Sequence, residues 1–325
     1  MIIGIESTAH TFGVGIVEKG KILVNVKDSY TTETGGIIPT DAAKHHKNVS
    51  ERVWKEAIEK AQIEERQILA IAISQAPGLS PCLIEGMKFA KLKAMELKIP
   101  LVGVNHCVSH LEIGRITGAT DPVLLYASGA NTQIIAYESG RYRIFGETLD
   151  IGIGNFIDNF ARIIGMGFPG GPKIETLAKE GKYIELPYSI KGMDIAFSGI
   201  LTNLKQKYKN GLKKEDLAYS LQETVFSMLV EASERALAHT NKKELVLGGG
   251  VGCNKRLKEM CRIMCEERGA KFFCPPNDLL TDNGAMIAYL GEIMFKHNIF
   301  IPLKEIDSLD INARQRTDEV NVNWR

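Results

Sequence analysis

His106 and His110 lie four residues apart in the stretch VNHCVSH. On a helix that separation puts both side chains on one face, where two imidazoles can meet a common metal ion. The metal reading joins to them two oxygen donors, Tyr126 and Asp282. Imidazoles with oxygen ligands suit iron or zinc better than calcium, and a phenolate favours a ferric type of Lewis acid. Plainer readings stand beside the metal: a satisfied or solvent-facing histidine pair, and a helix N-cap at Asp282. Spacing alone does not choose among them. His45 and His46, adjacent on a helix and so pointing different ways, are read as structural or surface residues.

Three loops have a composition suited to phosphate: Glu6-Ser7-Thr8-Ala9-His10, Ser128-Gly129-Ala130-Asn131-Thr132, and Gly248-Gly249-Gly250-Val251-Gly252-Cys253-Asn254. Small residues and hydroxyls let backbone N–H groups approach an anion. Singly, each loop is equally well an ordinary turn or a site of close helix–sheet packing. As a set they are what a nucleotide held between two like lobes needs, with hairpin amides on the phosphates and a helix start near the adenosine.

The elements that must position these groups form a repeat. Residues 2–28 read as strand, polar turn, strand, tight turn at Lys19-Gly20, strand. Residues 123–147 repeat the pattern through VLLYA, SGANT and a turn at Ser139-Gly140. Self-similarity at this separation predicts two domains of one architecture, because solenoid repeats have much shorter periods. Helices over 41–61 and 82–98 alternate with strands ILAIAIS and PLVGV, and the helix with His106 and His110 follows, so parallel strands with crossover helices are expected. In the second half, helices are expected over 154–164, 171–180 and 215–239, then strand ELVLG, the glycine loop and a helix, strand KFFCP, and a last helix opened by Asp282. The expected division is a first lobe over 1–115, a second over 116–300, and a tail over 301–325 packing on the first.

Composition narrows the class. The chain has 325 residues, 44% hydrophobic and 24% charged, which is ordinary globular composition with enough length for two cores. A net charge of +1 argues against nucleic-acid binding by bulk electrostatics alone while permitting a local basic patch. Lys205, Lys207, Lys209, Lys213 and Lys214 are the candidate patch, each also readable as part of a solvated face. The six cysteines form neither a CxxC pair nor a dense framework, so reduced thiols are expected, with Cys261 and Cys265 packing rather than binding. The opening IIGI lacks a signal-peptide pattern and no apolar run is long enough for a bilayer, which predicts a cytoplasmic protein without a membrane partner.

Two activities fit less well. Zinc proteases use HExxH with glutamate as general base, whereas Cys107 follows His106 here. Actin-like sugar kinases carry an aspartate and glycine in the first hairpin turn, whereas this turn is Glu6-Ser7-Thr8. Phosphoryl transfer remains the alternative, together with a nucleotide-gated scaffold.

The stretches GIESTAHTFGVGI, VNHCVSH, YASGANTQ, NFIDNFAR, GFPGGPKIE, FSG, GGGVGCNKRL and TDNGAMIA span nearly the whole chain. In this order they resemble the universal tRNA threonylcarbamoyl transferases, the TsaD-like family. The VNHC form brings the chain closer to the archaeal and eukaryotic branch, the catalytic subunit of the KEOPS complex. The resemblance implies an α/β fold of the actin-like ATPase type (ASKHA, ribonuclease H-like), with two duplicated lobes around a central nucleotide and metal cleft. It implies one iron ion, alternatively zinc, held by His106, His110, Tyr126 and Asp282. Substrate contacts carry over onto Tyr126, Ala127, Ser128, Gly129, Ala130, Asp158, Gly171, Glu175 and Asn254, with an adenine nucleotide or threonylcarbamoyl-adenylate as ligand. Implied partners are tRNA, the KEOPS kinase-like ATPase, which is fused to some relatives, and the small KEOPS subunits.

The expected reaction is transfer of threonylcarbamoyl from threonylcarbamoyl-adenylate to N6 of the adenosine 3′ of the anticodon in ANN-decoding tRNAs, with release of AMP. The adenine amine is a poor nucleophile, so placement and carbonyl activation must carry much of the barrier reduction. No residue stands out as a general base.

Overall fold

A computed structural model of the chain describes residues 1–32 and 36–325. The first run of elements is β1 (Ile2–Glu6), β2 (Thr11–Glu18), β3 (Lys21–Ser29), α1 (Pro39–Ala61), β4 (Ala70–Ala76), α2 (Ser80–Leu97), β5 (Leu101–Asn105) and α3 (His106–Gly114). The second is β6 (Val123–Ala127), β7 (Thr132–Glu138), β8 (Arg141–Glu147), α4 (Ile153–Ile163), α5 (Gly171–Ala178), the short strands β9 (Ile190–Lys191) and β10 (Asp194–Ile195), and α6 (Ser198–Lys209). It continues through α7 (Lys214–Thr240), β11 (Glu244–Gly248), α8 (Lys255–Glu267), β12 (Lys271–Phe273), α9 (Asn277–Leu280) and α10 (Gly284–Lys296). Two compact units result, one of Met1–Thr31, Ile37–Ile113 and Asp282–Arg325, the other of Thr32–Gly36 and Gly114–Thr281.

In the first unit a five-stranded sheet runs β3-β2-β1-β4-β5. Strand β1, IIGIE, pairs antiparallel to β2 and parallel to β4, and it is buried along its whole length because helices cover both faces of the sheet there. Ile3 and Ile5 point to a core with Val53 and Trp54 of α1 and Phe89 of α2. The alternate residue, Gly4, faces α10. A Cβ added at Gly4 would lie 2.2 Å from the Ala288 nitrogen, and one at Gly15 2.2 Å from the Ala285 nitrogen. These glycines therefore let a helix backbone rest directly on the sheet. Gly13, the β2 partner of Glu6, meets Gly284 in the same way, which fixes the segment Asp282–Gly284 beside the end of β1.

The sheet of the second unit has the matching order, β12-β11-β6-β7-β8, with β6 in the place of β1. The duplication reaches fine detail. Lys19-Gly20 and Ser139-Gly140 turn their hairpins with φ of 50° and 77°, and 52° and 77°, the positive pair of a tight hairpin turn. Each third strand also carries one extra residue, Leu23 or Phe145, opposite a register shift in the second strand. The core gathers Phe156 and Phe160 of α4, Phe197, and the buried face of α7 from Leu217 to Leu237.

These units differ from the expected lobes at the chain end. Residues 282–300, expected in the second lobe, group with the first, because α10 is packed through the glycines of β1 and β2. The tail groups there too, through the Leu101–Ile301 bridge and burial of Ile306 and Leu309. Helix α10 starts at Gly284 rather than Asp282. Cys261 and Cys265 pack in the second core, and no disulfide joins cysteines among the described residues. Among the described residues, no helix is long and apolar enough to cross a membrane.

Candidate functional site

Helix α3 starts where β5 stops. The Asn105 side chain accepts from the Val108 amide at 3.2 Å, so the helix opens at once and places His106 in its first turn and His110 one turn later. The two rings are 4.8 Å apart between centroids and nearly perpendicular, at 80°. At the other end of the sequence Asn283, not Asp282, caps α10, accepting from the Met286 amide at 2.9 Å. The Asp282 carboxylate is left outside the helix, with Oδ1 3.4 Å from His106 Nε2 and 3.5 Å from His110 Nε2.

These separations suit a shared ion. Nitrogen and oxygen ligands about 2.0–2.1 Å from a tetrahedral ion stand roughly 3.3–3.4 Å from one another. The three ligand atoms all lie within 4.8 Å of each other, on side chains 6%, 1% and 16% exposed for His106, His110 and Asp282. The donor set, two imidazoles and a carboxylate, can hold iron or zinc.

Glu6 orients this set. Its side chain is fully buried, and its Oε2 lies 3.0 Å from His106 Nδ1. Its other oxygen accepts from the Thr8 amide at 2.7 Å and from the Thr8 hydroxyl. With Nδ1–H donating to Glu6, the His106 lone pair at Nε2 faces the side where Asp282 lies. Burial pulls the His106 imidazolium down, but the carboxylates of Glu6 and Asp282 outweigh it and hold this histidine well above its ordinary value. Burial pushes the Asp282 carboxyl up, and His106 with the hydrogen bonds from both histidines reverses this, leaving it well below the carboxylate range. His110 is lowered, chiefly by burial.

The role of Glu6 differs from the phosphate reading of its loop. The Thr8 amide is taken by Glu6, and the Ser7 amide donates to the Ser74 hydroxyl at 3.0 Å. Neither is left over for a bound phosphate. The sequence signal for this was a carboxylate ending an otherwise apolar strand, a group that needs a partner when buried.

The second unit gathers the remaining expected residues. Tyr126, the fourth expected metal donor, belongs to this unit, 1% exposed near the end of β6 and paired with Gly248 of β11 and Gln133 of β7. Ala127 follows it, and its carbonyl sits against Gly249, where a Cβ would approach to 2.3 Å. The Ser128 hydroxyl donates to the Asn131 carbonyl at 2.9 Å and closes the turn, leaving Gly129 and Ala130 exposed at its tip. Ala130 takes no left-handed backbone conformation there, so alanine serves as well as glycine. The start of α4 docks on this turn, with the Asn155 amide donating to the Gly129 carbonyl at 2.9 Å.

Asp158 on the same helix accepts from the Gly170 amide at 2.7 Å, beside Gly171, the first residue of α5. From α5, Glu175 accepts from the Lys255 amide at 2.9 Å, a carboxylate at the positive end of α8. Asn254 caps α8 through the Arg256 and Leu257 amides, while its own amide donates to Gln222 at 2.6 Å. A continuous set of contacts thus joins the SGANT turn, Asp158, the Gly170-Gly171 corner, Glu175 and Asn254. Lys205, Lys209, Lys213 and Lys214 are exposed around the α6–α7 corner, with Lys207 half-buried.

Comparison with known proteins decides the family. The profile described as TsaD, tRNA N6-adenosine threonylcarbamoyltransferase, matches residues 21–289. The chain belongs to the tRNA N6-adenosine threonylcarbamoyltransferase family. It is 55% identical to the protein of that name from Thermococcus sibiricus and 54% identical to that from Thermococcus kodakarensis, each over 99% of both chains. A "probable bifunctional tRNA threonylcarbamoyladenosine biosynthesis protein" from Methanothermobacter thermautotrophicus is 51% identical over all of this chain and 61% of its own length.

Solved structures support the fold of this threonylcarbamoyltransferase family member. Full-length HypF superimposes with a TM-score of 0.61 at 13% identity, over 90% of this chain and 55% of that one. The (R)-2-hydroxyglutaryl-CoA dehydratase component A of Acidaminococcus fermentans gives 0.55 at 14%, over 94% and 98%. At such identities the likeness concerns the fold, which is that of the actin-like ATPases.

Proposed function

We propose that this chain transfers threonylcarbamoyl from threonylcarbamoyl-adenylate to N6 of the adenosine 3′ of the anticodon in ANN-decoding tRNAs, releasing AMP. The observation that carries the reading is the His106–His110–Asp282 triad, oriented by Glu6, in a chain of this family. We take the resident metal to be iron, with zinc as the alternative, and Tyr126 as its fourth ligand. When bound, the metal supplies a Lewis acid that can polarise the carbamoyl group or orient the threonyl part.

The protein's own groups do the rest. Glu6 fixes the His106 ring through Nδ1 so that Nε2 stays available as a donor. The exposed Gly129-Ala130 tip offers backbone to the adenylate phosphate, beside a turn locked by the Ser128 hydroxyl. Asp158, Gly171, Glu175 and Asn254, with Ala127 behind them, shape the place for the nucleoside. The geometry of Glu175 and Asn254 favours positioning through the α8 start over direct side-chain contact, since both already hold amides of that helix. Such placement lowers the barrier for a weak amine nucleophile.

The partners follow from the same reading. We propose tRNA as substrate and the KEOPS kinase-like ATPase and small subunits as partners, in the cytoplasm. The relatives named bifunctional, in which this chain aligns with only 61% of the whole, favour a second functional domain working beside this one.

The test supplies threonylcarbamoyl-adenylate, unmodified tRNA and the partner subunits, and follows labelled threonine into tRNA. Wild type is expected to label tRNA and release AMP in equal amounts, with His106→Ala and His110→Ala inactive and depleted of metal. Label with metal-free protein overturns the metal's role. No label from wild type, with phosphate released from ATP instead, replaces the reading by phosphoryl transfer; nucleotide binding without turnover replaces it by a scaffold.

A further inference from the structure

In the second unit, residues 181–188 form a strap laid along α7. The Lys182 amide donates to Asp216 Oδ1 at 2.7 Å, the Ile184 amide to the Ser220 hydroxyl at 2.6 Å, and the Tyr188 hydroxyl to Glu231. Three side chains of one helix thus pin the strap, and its two tyrosines nevertheless stay open to solvent, Tyr183 56% and Tyr188 50% exposed. Between strap and helix lies an open recess of about 310 Å³, lined by Tyr183, Tyr188 and Tyr219 with Glu223, Thr224 and Ser227. Thr224 is 4% exposed, and among the described residues its hydroxyl has no hydrogen-bond partner. A buried hydroxyl left in that state at a recess wall is a group for a ligand to satisfy.

We propose that this recess receives one unstacked base of the RNA substrate, next to the adenosine that is modified. The inference rests on the tRNA reading above. Tyrosine faces stack any base, since every base has a π-face, and unpaired loop bases are those free to be splayed onto them. The Thr224 hydroxyl can donate or accept, the Ser227 hydroxyl, which donates to the Glu223 carbonyl at 2.7 Å, can still accept, and Glu223 can accept from an exocyclic amine. The volume is at the small end of ligand pockets, roughly 300–1,000 Å³, and suits a single ring system.

Charge and position agree with a nucleotide. Arg256 grips Glu223 at both oxygens, at 2.7 and 2.8 Å, and so neutralises the one carboxylate in the lining. Lys213 and Lys214 are exposed at the start of α7, where Lys214 stands about 8 Å along the axis from Tyr219. Gln222, the residue before Glu223, holds the Asn254 amide, so the recess adjoins the loop assigned to the nucleoside.

The experiment uses the full chain with its partner subunits and an anticodon stem–loop RNA carrying 5-iodouridine at the loop positions flanking the target adenosine. Irradiation and peptide mapping are expected to place the crosslink on 183–188 or on Tyr219. Tyr183→Ala with Tyr188→Ala is expected to weaken RNA binding about five- to a hundredfold, the range of one base–aromatic stack, and the two Phe variants to restore it. Tyr188→Phe loses only the hydroxyl that pins the strap to Glu231 and so controls for loosening of the strap; where melting temperature falls, Thr224→Val carries the test through the crosslink position. RNA affinity unchanged in the Ala variants, with crosslinks elsewhere, overturns the proposal. So does a loss confined to partner-subunit binding, which assigns the recess to a protein. Wild type that binds no RNA defeats the tRNA reading itself, whereas wild type that binds and modifies RNA beside indifferent Tyr variants defeats only the recess.

Discussion

The loops Glu6–His10 and Ser128–Thr132 occupy the same place in two sheets of one topology, after β1 and after β6, and their side chains turn them to opposite uses. In the first, a buried carboxylate draws in the Thr8 amide and hydroxyl and a histidine ring, so the loop closes inward around the triad. In the second, a hydroxyl satisfies the turn locally and small residues remain at an exposed tip. One buried charge explains the difference. A carboxylate without water must collect donors, and the amides it collects are no longer available to a ligand.

The strongest way to break this comparison is to lift α10 from the first sheet. Gly15→Val would put a Cβ about 2.2 Å from the Ala285 nitrogen, a clash of backbone against side chain that no rotamer relieves. Denaturant unfolding should show a loss of about 3 kcal/mol or more, with metal stoichiometry falling as Asp282 moves away. Gly129→Ala in the other loop is the control. Its nearest neighbour, Asn155 Oδ1, would be 3.6 Å away, an ordinary contact, so stability should stay within about 0.5 kcal/mol.

Next in size is removal of the inward charge. Glu6→Ala should weaken metal binding about 10- to 100-fold in chelator competition, the usual effect of losing a carboxylate that orients a ligating histidine. Metal uptake by wild type should also strengthen with pH, by about tenfold per unit while His106 carries the proton that the metal must displace. Because His106 is raised, its contribution to metal-free stability is full below about pH 6.5 and is lost as pH rises through the raised value. Asp282 is depressed, so its contribution is full above about pH 3.8 and is lost as pH falls through the lowered value. His110 and His46 are lowered by burial, so their contributions are full only above about pH 6.5 and are lost as pH falls below it. Unfolding of metal-stripped protein from pH 3 to 9 should therefore show a stability maximum near or above about pH 6.5 that falls on both sides, and in a metal-stripped Glu6→Gln variant the alkaline fall should begin at lower pH.

Much of this was legible in the chain because it is periodic. The two strand–turn–strand copies, the Lys19-Gly20 and Ser139-Gly140 turns and the His106/His110 spacing are local patterns, and local patterns survive in one dimension. The assignment of Asp282–Lys296 to the first unit was not legible, because its cause lies in glycines of β1 and β2 some 270 residues away, whose contact with a helix backbone no local pattern records. Glu6 was hidden for the same reason: the ring that needs it is 100 residues along the chain. The cap reading of Asp282 failed at its neighbour, since Asn283 takes the cap and leaves the carboxylate outside the helix.

That neighbour supplies the smallest and most discriminating test. Asn283 and Asn254 are both asparagine N-caps, one in each unit, and removing either cap by alanine should cost about 1 kcal/mol in thermal or denaturant unfolding. Their effects on metal should part. Asn283→Ala frees the first turn of α10 and lets the adjoining Asp282 carboxylate drift toward the vacated amides, so metal affinity should fall along with stability. Asn283→Asp, which can still cap, should recover the stability. Asn254→Ala loosens the α8 start and the Gln222 contact, and should weaken nucleotide binding with metal affinity unchanged. Equal losses of metal in the two alanine variants would mean that the loops do not divide the work as their hydrogen bonds indicate.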